Sequence, residues 1–208
     1  PEEFVAVVES GGQVGALTRW VLQAAVAQVV KWPKWVNLSV NLSVLDLKDR
    51  ELPGYIADLL KEHTLEPQRL WLEITESAVM QEGGTSLETM VQLKALGVVL
   101  SIDDFGTGHS SLSQLKKLPV SELKIDKVFV LNMDNSEDDQ LIVQSIINLA
   151  HTLGLSVTAE GIERQSLEDL LVSYGCERGQ GYYYSKPLPA KDFERWLQAR
   201  LHADVGKD

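Results

Sequence analysis

Polar side chains suited to chemistry recur at the ends of apolar runs along this chain: Asn41, Glu73, Asp103 with Asp104, Lys124 with Asp126, Glu160 and Gln180. The pattern is sharpest in the stretch VVLSIDDFGTG, from Val98 to Gly108, where an apolar, β-branched run ends on two adjacent carboxylates and then on two glycines flanking a threonine. That order describes a buried strand stopping at a pair of acids beside a turn or mobile loop. In α/β enzymes such a strand end is where a metal ion and a phosphate ester are held. Asp103 and Asp104 alone also admit a second reading, as strand terminators whose oxygens satisfy turn amides.

The distribution carries further than either acid. Buried carboxylates without partners cost several kcal/mol, so four acids converging on one mouth require cations. Oxygen donors from Asn, Asp and Glu suit hard ions such as Mg²⁺ or Mn²⁺. His63, His109, His151 and His202 are scattered, and none is assigned to a metal, which argues against zinc. With two ions close together, a bridging carboxylate and a bound hydroxide can drive in-line attack on a phosphodiester.

Elements must deliver these groups to one place. A short helix is expected over residues 2–9, and an amphipathic one through Leu17, Trp20, Val21, Ala24, Ala25 and Gln28 up to Trp32-Pro33. Residues 36–43 alternate apolar with Asn37, Ser39, Asn41 and Ser43, the period of a strand. Further strands are expected over 70–76, 98–104, 122–126, 155–161 and 179–185. Helices between them carry Ile56, Leu59 and Leu60; Leu87, Met90, Val91 and Lys94; Leu112 and Leu115; Leu141, Ile142, Ile146, Leu149 and Leu153; and Leu167, Leu170 and Leu171. Phe193, Trp196 and Leu197 mark a terminal helix. Six strands alternating with helices imply parallel pairing, in a barrel or an open doubly wound sheet. Polar residues at the end of every strand favour the barrel, whose strand ends share one mouth.

Composition narrows the classes. The 208 residues suit one large α/β domain, and 44% hydrophobic with 24% charged residues is ordinary for a globular protein. A net charge of −11 argues against binding a nucleic-acid polymer or anionic lipid by electrostatics, although acids that recruit divalent ions can still take a small anion. No apolar run reaches the length of a membrane span, and no signal peptide opens the chain. The single cysteine, Cys176, is read as a small buried hydrophobe and fits a reducing cytoplasm. The chain opens at Pro1 without an initiator methionine and is read as a fragment of a longer polypeptide, cytoplasmic or the cytoplasmic part of a membrane-anchored parent.

Taken together, the motifs resemble the EAL family of cyclic di-GMP phosphodiesterases along the whole chain. They are Val40-Asn41-Leu42-Ser43, Leu72-Glu73-Ile74-Thr75-Glu76-Ser77, IDDFGTGHSS from Ile102 to Ser111, Leu123-Lys124-Ile125-Asp126, Ala159-Glu160-Gly161-Ile162-Glu163, and Gly179-Gln180-Gly181-Tyr182 leading to Ser185-Lys186-Pro187-Leu188-Pro189. The resemblance implies a modified TIM-type (β/α) barrel that hydrolyses cyclic di-GMP to linear pGpG with Mg²⁺ or Mn²⁺. By position it implies Asn41, Glu73 and Asp103 as ligands of one metal and Asp103 with Asp104 at the second. Lys124 would position the attacking water, and Glu160 would assist in metal binding or water activation. Gln180 would contact a ligand or water at the far rim, and Glu76 would anchor the loop that begins at Asp104-Phe105-Gly106, with Glu163 in support. A homodimer coupled through that loop, and sensor or diguanylate cyclase-like domains upstream, are further implications. The family's Glu-Ala-Leu motif, with its metal-binding glutamate and the N-terminal strands, would lie before Pro1, so this stretch is expected to bind metal weakly and turn over slowly alone. His109 replaces the usual tyrosine.

Blander readings stand beside these. Glu73 could be a solvent-facing strand acid, Asn41 an inter-strand hydrogen-bonder, Glu160 a turn residue, and Asp126 a cap or the partner of a basic residue. Trp20, Trp32, Trp35, Trp71 and Trp196 are read as helix packing and the acid run 134–139 as a solvated helix start. A receptor that senses cyclic di-GMP without cleaving it is the second function; such receptors usually lose several of the acids retained here. An unrelated metal-dependent barrel of enolase type fits the strand-end acids but not the joint motifs.

Overall fold

The computed structural model describes residues 12–80, 84–108 and 112–204; the helix expected over residues 2–9 and His109 lie outside them. Six strands pair in parallel in simple chain order: β1 (Leu38–Leu42), β2 (Leu70–Thr75), β3 (Val99–Phe105), β4 (Glu122–Ile125), β5 (Ser156–Ala159) and β6 (Arg178–Gly179). The longer helices are α1 (Val14–Val29) before β1, α3 (Leu52–Glu62), α5 (Gly84–Ala95), α8 (Glu137–Thr152) and α9 (Gln165–Ser173) between strands, and α10 (Ala190–Asp204) after β6. Shorter turns are α2 (Val44–Lys48), α4 (Glu76–Met80), α6 (Leu112–Leu115) and α7 (Lys127–Val130). This is a partial TIM-type barrel.

Strand alternation sorts the two faces of the sheet. Val40, Leu42, Leu70, Leu72, Ile74, Leu100, Ile102, Leu123, Ile125, Val157 and Ala159 are buried in the apolar core with residues of the helices. Each such aliphatic side chain contributes about 1.5–3 kcal/mol on burial. The intervening positions, Ser39, Asn41, Trp71, Glu73, Ser101, Asp103, Glu122, Lys124, Ser156, Thr158 and Arg178, share the other face by the period of two. One face of the sheet is therefore a hydrocarbon core and the other a polar interior. Ends of elements are tied down as locally as possible. Ser43 and Asp46 form a reciprocal cap on α2, and the buried Arg69 guanidinium donates to the carbonyls of Val29, Trp32, Pro33 and Val36, where α1 ends.

Several expectations are corrected. The last strand is only Arg178–Gly179, because the tyrosine run bends: Tyr183 N–H donates to the Ile162 carbonyl and Tyr184 N–H to that of Gly181. A Cβ on Gly181 would collide with the Ile162 carbonyl oxygen, so glycine permits this close crossing. In α8 the buried line is Val143, Ile146, Ile147 and Ala150, while Leu141 and Ile142 face outward. Trp20 and Trp35 are exposed at 67% and 60%; Trp20 falls off the buried α1 line of Val14, Thr18, Leu22, Val26 and Val29. Trp32 and Trp196 do pack, on either side of Phe193. In the acid run, Asp134 is not simply solvated but takes a two-pronged ion pair from Arg164.

Candidate functional site

Parallel register brings the strand-end polar groups together. Asn41 lies opposite Glu73, and Lys124 opposite Thr158, two residues before Glu160. Regular pleating would send Asp103 and Asp104 to opposite faces, and β3 avoids this with a bulge. Ile102 pairs with Leu123 and Phe105 with Ile125, so three steps on β3 match two on β4, and Asp104 takes the left-handed conformation at φ 55°. Carboxylate oxygens of Asp103, Asp104 and Glu160 consequently all lie within 4.8 Å of one another. A non-glycine residue in that conformation, at a strand end beside an acid cluster, is backbone strain placed where function is concentrated.

Lys124 stands at the centre, its side chain 3% exposed. Its Nζ lies 2.9 Å from Glu73 Oε2, 2.9 Å from Asp103 Oδ1 and 2.5 Å from Glu160 Oε1. Burial alone would pull the ammonium down, but the charges of Glu73 and Asp103 and the hydrogen bonds to Glu160 and Glu73 outweigh it, holding the pKa above the usual lysine range. The acids pay for their crowding. Burial first, with Asp103 and Asp126 adding, pushes the Asp104 carboxyl up. Burial also raises Glu160, partly offset by Lys124. Three carboxylates share one ammonium and Asp104 lies beside them, so the set still has donor oxygens and negative charge to spare. The chemistry of that donor set fits a hard divalent cation.

Other sequence-selected residues fall around this cluster. Gln180 lines a cavity of about 200 Å³ with Glu73 and Lys124, and its backbone is pinned on both sides, N–H to Ala159 and carbonyl from Ile162. Asn41 borders a separate groove of about 740 Å³ along β1 and α1. Glu76 is buried and accepts from the Gly106 and Gly108 amides at 2.9 and 3.4 Å, fastening the loop after Phe105. A Cβ on Gly108 would sit 2.7 Å from Glu76 Oε1, so the loop must run bare over this anchor. Asp126 caps α7 by accepting from Val128 N–H and faces Asp104. Glu163 is exposed beside Arg164.

Sequence reasoning missed Glu122 and Arg178. Glu122 is 1% exposed, accepts from Ser101 Oγ at 2.7 Å and Thr158 Oγ1 at 2.6 Å, and lies 3.3 Å from Arg178 Nε. The signal was present: Glu122 lies two residues before Lys124 on a strand and so shares its face.

A family model described as the EAL domain matches residues 1–187. The chain belongs to the EAL domain family. This EAL domain is 41% identical over 196 residues to the bifunctional diguanylate cyclase/cyclic di-GMP phosphodiesterase MucR of Pseudomonas aeruginosa, covering 92% of the chain and 28% of that protein. It is 38% identical over 200 residues to the signaling protein YkoW of Bacillus subtilis, covering 95% of the chain and 25% of that protein. The chain thus spans about a quarter of the length of these relatives. Among solved structures, the MucR phosphodiesterase in complex with c-di-GMP superposes with a TM-score of 0.88 at 40% identity, over 93% of this chain and 80% of that one. The EAL domain of Mycobacterium smegmatis DcpA gives 0.84 at 38% identity, over 89% and 85%.

Proposed function

We propose that this EAL domain hydrolyses cyclic di-GMP to linear pGpG, with Mg²⁺ or Mn²⁺ held by Asp103, Asp104 and Glu160 and, on the side of β1 and β2, by Asn41 and Glu73. The observation that carries the reading is the buried Lys124 ammonium among Glu73, Asp103 and Glu160, with Asp104 turned into the same mouth by the bulge. The likeness to a phosphodiesterase that binds c-di-GMP supports the substrate. A bound divalent pair would offset the carboxylates, make a water more acidic and shield the phosphate. Lys124, kept protonated by its neighbours, orients the attacking water. Glu160, whose carboxyl burial has pushed up, is placed to take that water's proton. As the water oxygen bonds to phosphorus, one bridging P–O bond breaks and the freed ribose oxygen takes up a proton from solvent, while Glu160 later gives its proton back to solvent. Glu76 holds the Phe105-Gly106 loop at the rim, Gln180 faces the ligand, and Glu163 lends support.

In the parent polypeptide we read this domain as cytoplasmic, homodimeric through the loop after Asp104, and joined to sensor or diguanylate cyclase-like modules. MucR, by its name, combines a cyclase with its phosphodiesterase. No helix among the described residues is long and apolar enough to cross a membrane.

Incubation of the chain with c-di-GMP and Mg²⁺ or Mn²⁺, followed by chromatography, tests the reading. Slow, metal-dependent appearance of pGpG is expected. Binding of the dinucleotide without turnover at any metal concentration would instead make the domain a receptor.

A further inference from the structure

Beneath the acid cluster the interior holds a second polar layer. Ser101, Glu122 and Thr158 stand two residues before Asp103, Lys124 and Glu160 on three adjacent strands, and therefore on the same face. All three side chains are buried, at 0%, 1% and 8% exposure. One carboxylate joins them: Glu122 Oε2 accepts from Ser101 Oγ and Oε1 from Thr158 Oγ1, while Arg178 supplies the countercharge and sits over Trp71, its guanidinium carbon 4.5 Å from the ring centre.

We propose that Glu122 is a positioning residue for the ion-binding carboxylates, acting through Ser101 on Asp103 and through Thr158 on Glu160. The inference deepens the phosphodiesterase reading and rests on it. The bulge gives the position its leverage. Regular pairing of β3 with β4 is interrupted beyond Ile102, so on that side the backbone that presents Asp103 and Asp104 leaves the ladder just past the Ser101–Glu122 contact, while Asp103 still pairs with Thr75 on β2. That contact is the side-chain tie that fixes where the bulge begins. On the other flank, β5 ends at Ala159, and Thr158 is the nearest residue before Glu160 that shares its face and is tied across to β4. A buried carboxylate bridging both flanks sets the separation of Asp103 and Glu160, as outer-shell partners orient ligands in metal sites. Glu122 touches neither the carboxylates nor any reacting atom in this role.

The test uses the 208-residue chain and Mn²⁺ itself, titrated to millimolar concentration and followed by electron paramagnetic resonance, with thermal unfolding measured in parallel. Ser101→Ala and Thr158→Val each remove one hydroxyl at nearly constant shape, and Glu122→Gln removes the charge and an acceptor. Mn²⁺ affinity is expected to fall about 10- to 100-fold in each. Thr158→Ser, which restores the hydroxyl but not the methyl, is expected to return the wild-type affinity and spectrum, a rescue that loss of packing would not show. Wild-type affinity in Ser101→Ala and Thr158→Val would overturn the inference while leaving the phosphodiesterase reading intact. If the wild-type chain takes up no Mn²⁺, the metal reading of the mouth falls first and the inference with it.

Discussion

Two buried polar layers, one above the other on the inner face of the sheet, differ in how their charges balance. In the lower, Glu122 has two hydroxyl donors and one guanidinium, and every charge has its partner. In the upper, Glu73, Asp103 and Glu160 crowd around the single ammonium of Lys124, and Asp104 stands beside Asp103 and Glu160. Asp103, Asp104 and Glu160 are half-buried and Ser101, Glu122 and Thr158 fully buried, so deeper burial does not mark the functional layer. Unbalanced charge marks it: a self-satisfied layer holds the strands and the groups above them in place, whereas a layer with acid in excess is completed by cations from outside.

The comparison is broken most severely at Lys124. Lys124→Met leaves four crowded carboxylates with no cation among them, and breaking such a buried pair costs about 3–5 kcal/mol. Denaturant unfolding is expected to show that loss without divalent ions and a smaller one with Mn²⁺ present, and pGpG formation to fall to background. Arg178→Met is the matching change below. Arg178 is partly exposed, so the expected loss is about 1 kcal/mol or less, with turnover nearly preserved. Equal effects of the two substitutions on turnover would erase the distinction between the layers.

The pH dependence of stability sharpens the contrast. Asp104 and Glu160 are raised, chiefly by burial, so between their unfolded and folded pKa values the folded chain holds more protons. Metal-free stability from these two groups therefore falls as pH rises through that window. Divalent ions select the ionised form, so their stabilisation should grow over the same window. Asp134 has the opposite sign: the Arg164 guanidinium holds its carboxyl down at about 2, a contribution present above the ordinary carboxylate range and lost as pH falls. Thermal unfolding across the acidic range, with and without Mg²⁺, reads both, and Arg164→Met should remove only the second. The smallest effect is expected at Cys176, whose thiol burial pushes up to about 11. It should alkylate slowly at neutral pH, and Cys176→Ala should leave hydrolysis unchanged.

The architecture was legible because its signal is periodic. Alternation along residues 36–43 and 122–126 marks the polar and apolar faces, and acids at strand ends imply a shared mouth. What escaped depended on partners far away in the chain. Helix α8 carries Leu141, Ile142, Val143, Ile146, Ile147 and Leu149, too many apolar residues for the sequence to choose a stripe; packing against β4 and β5 chooses Val143, Ile146 and Ile147. The tyrosines after Gly181 have strand propensity, but Ile162 captures the backbone first. Nothing local announced the bulge, since neither Asp103 nor Asp104 is glycine. Glu122 gives no strand-end signal because it begins a strand, whereas the acids of the mouth end one.

Anomalous scattering from crystals of the chain grown with Mn²⁺ measures the central claim most directly. Manganese peaks are expected within bonding distance of the Asp103, Asp104 and Glu160 carboxylates, above Lys124. Manganese bound only elsewhere, with those three carboxylates directed at protein donors alone, would contradict it.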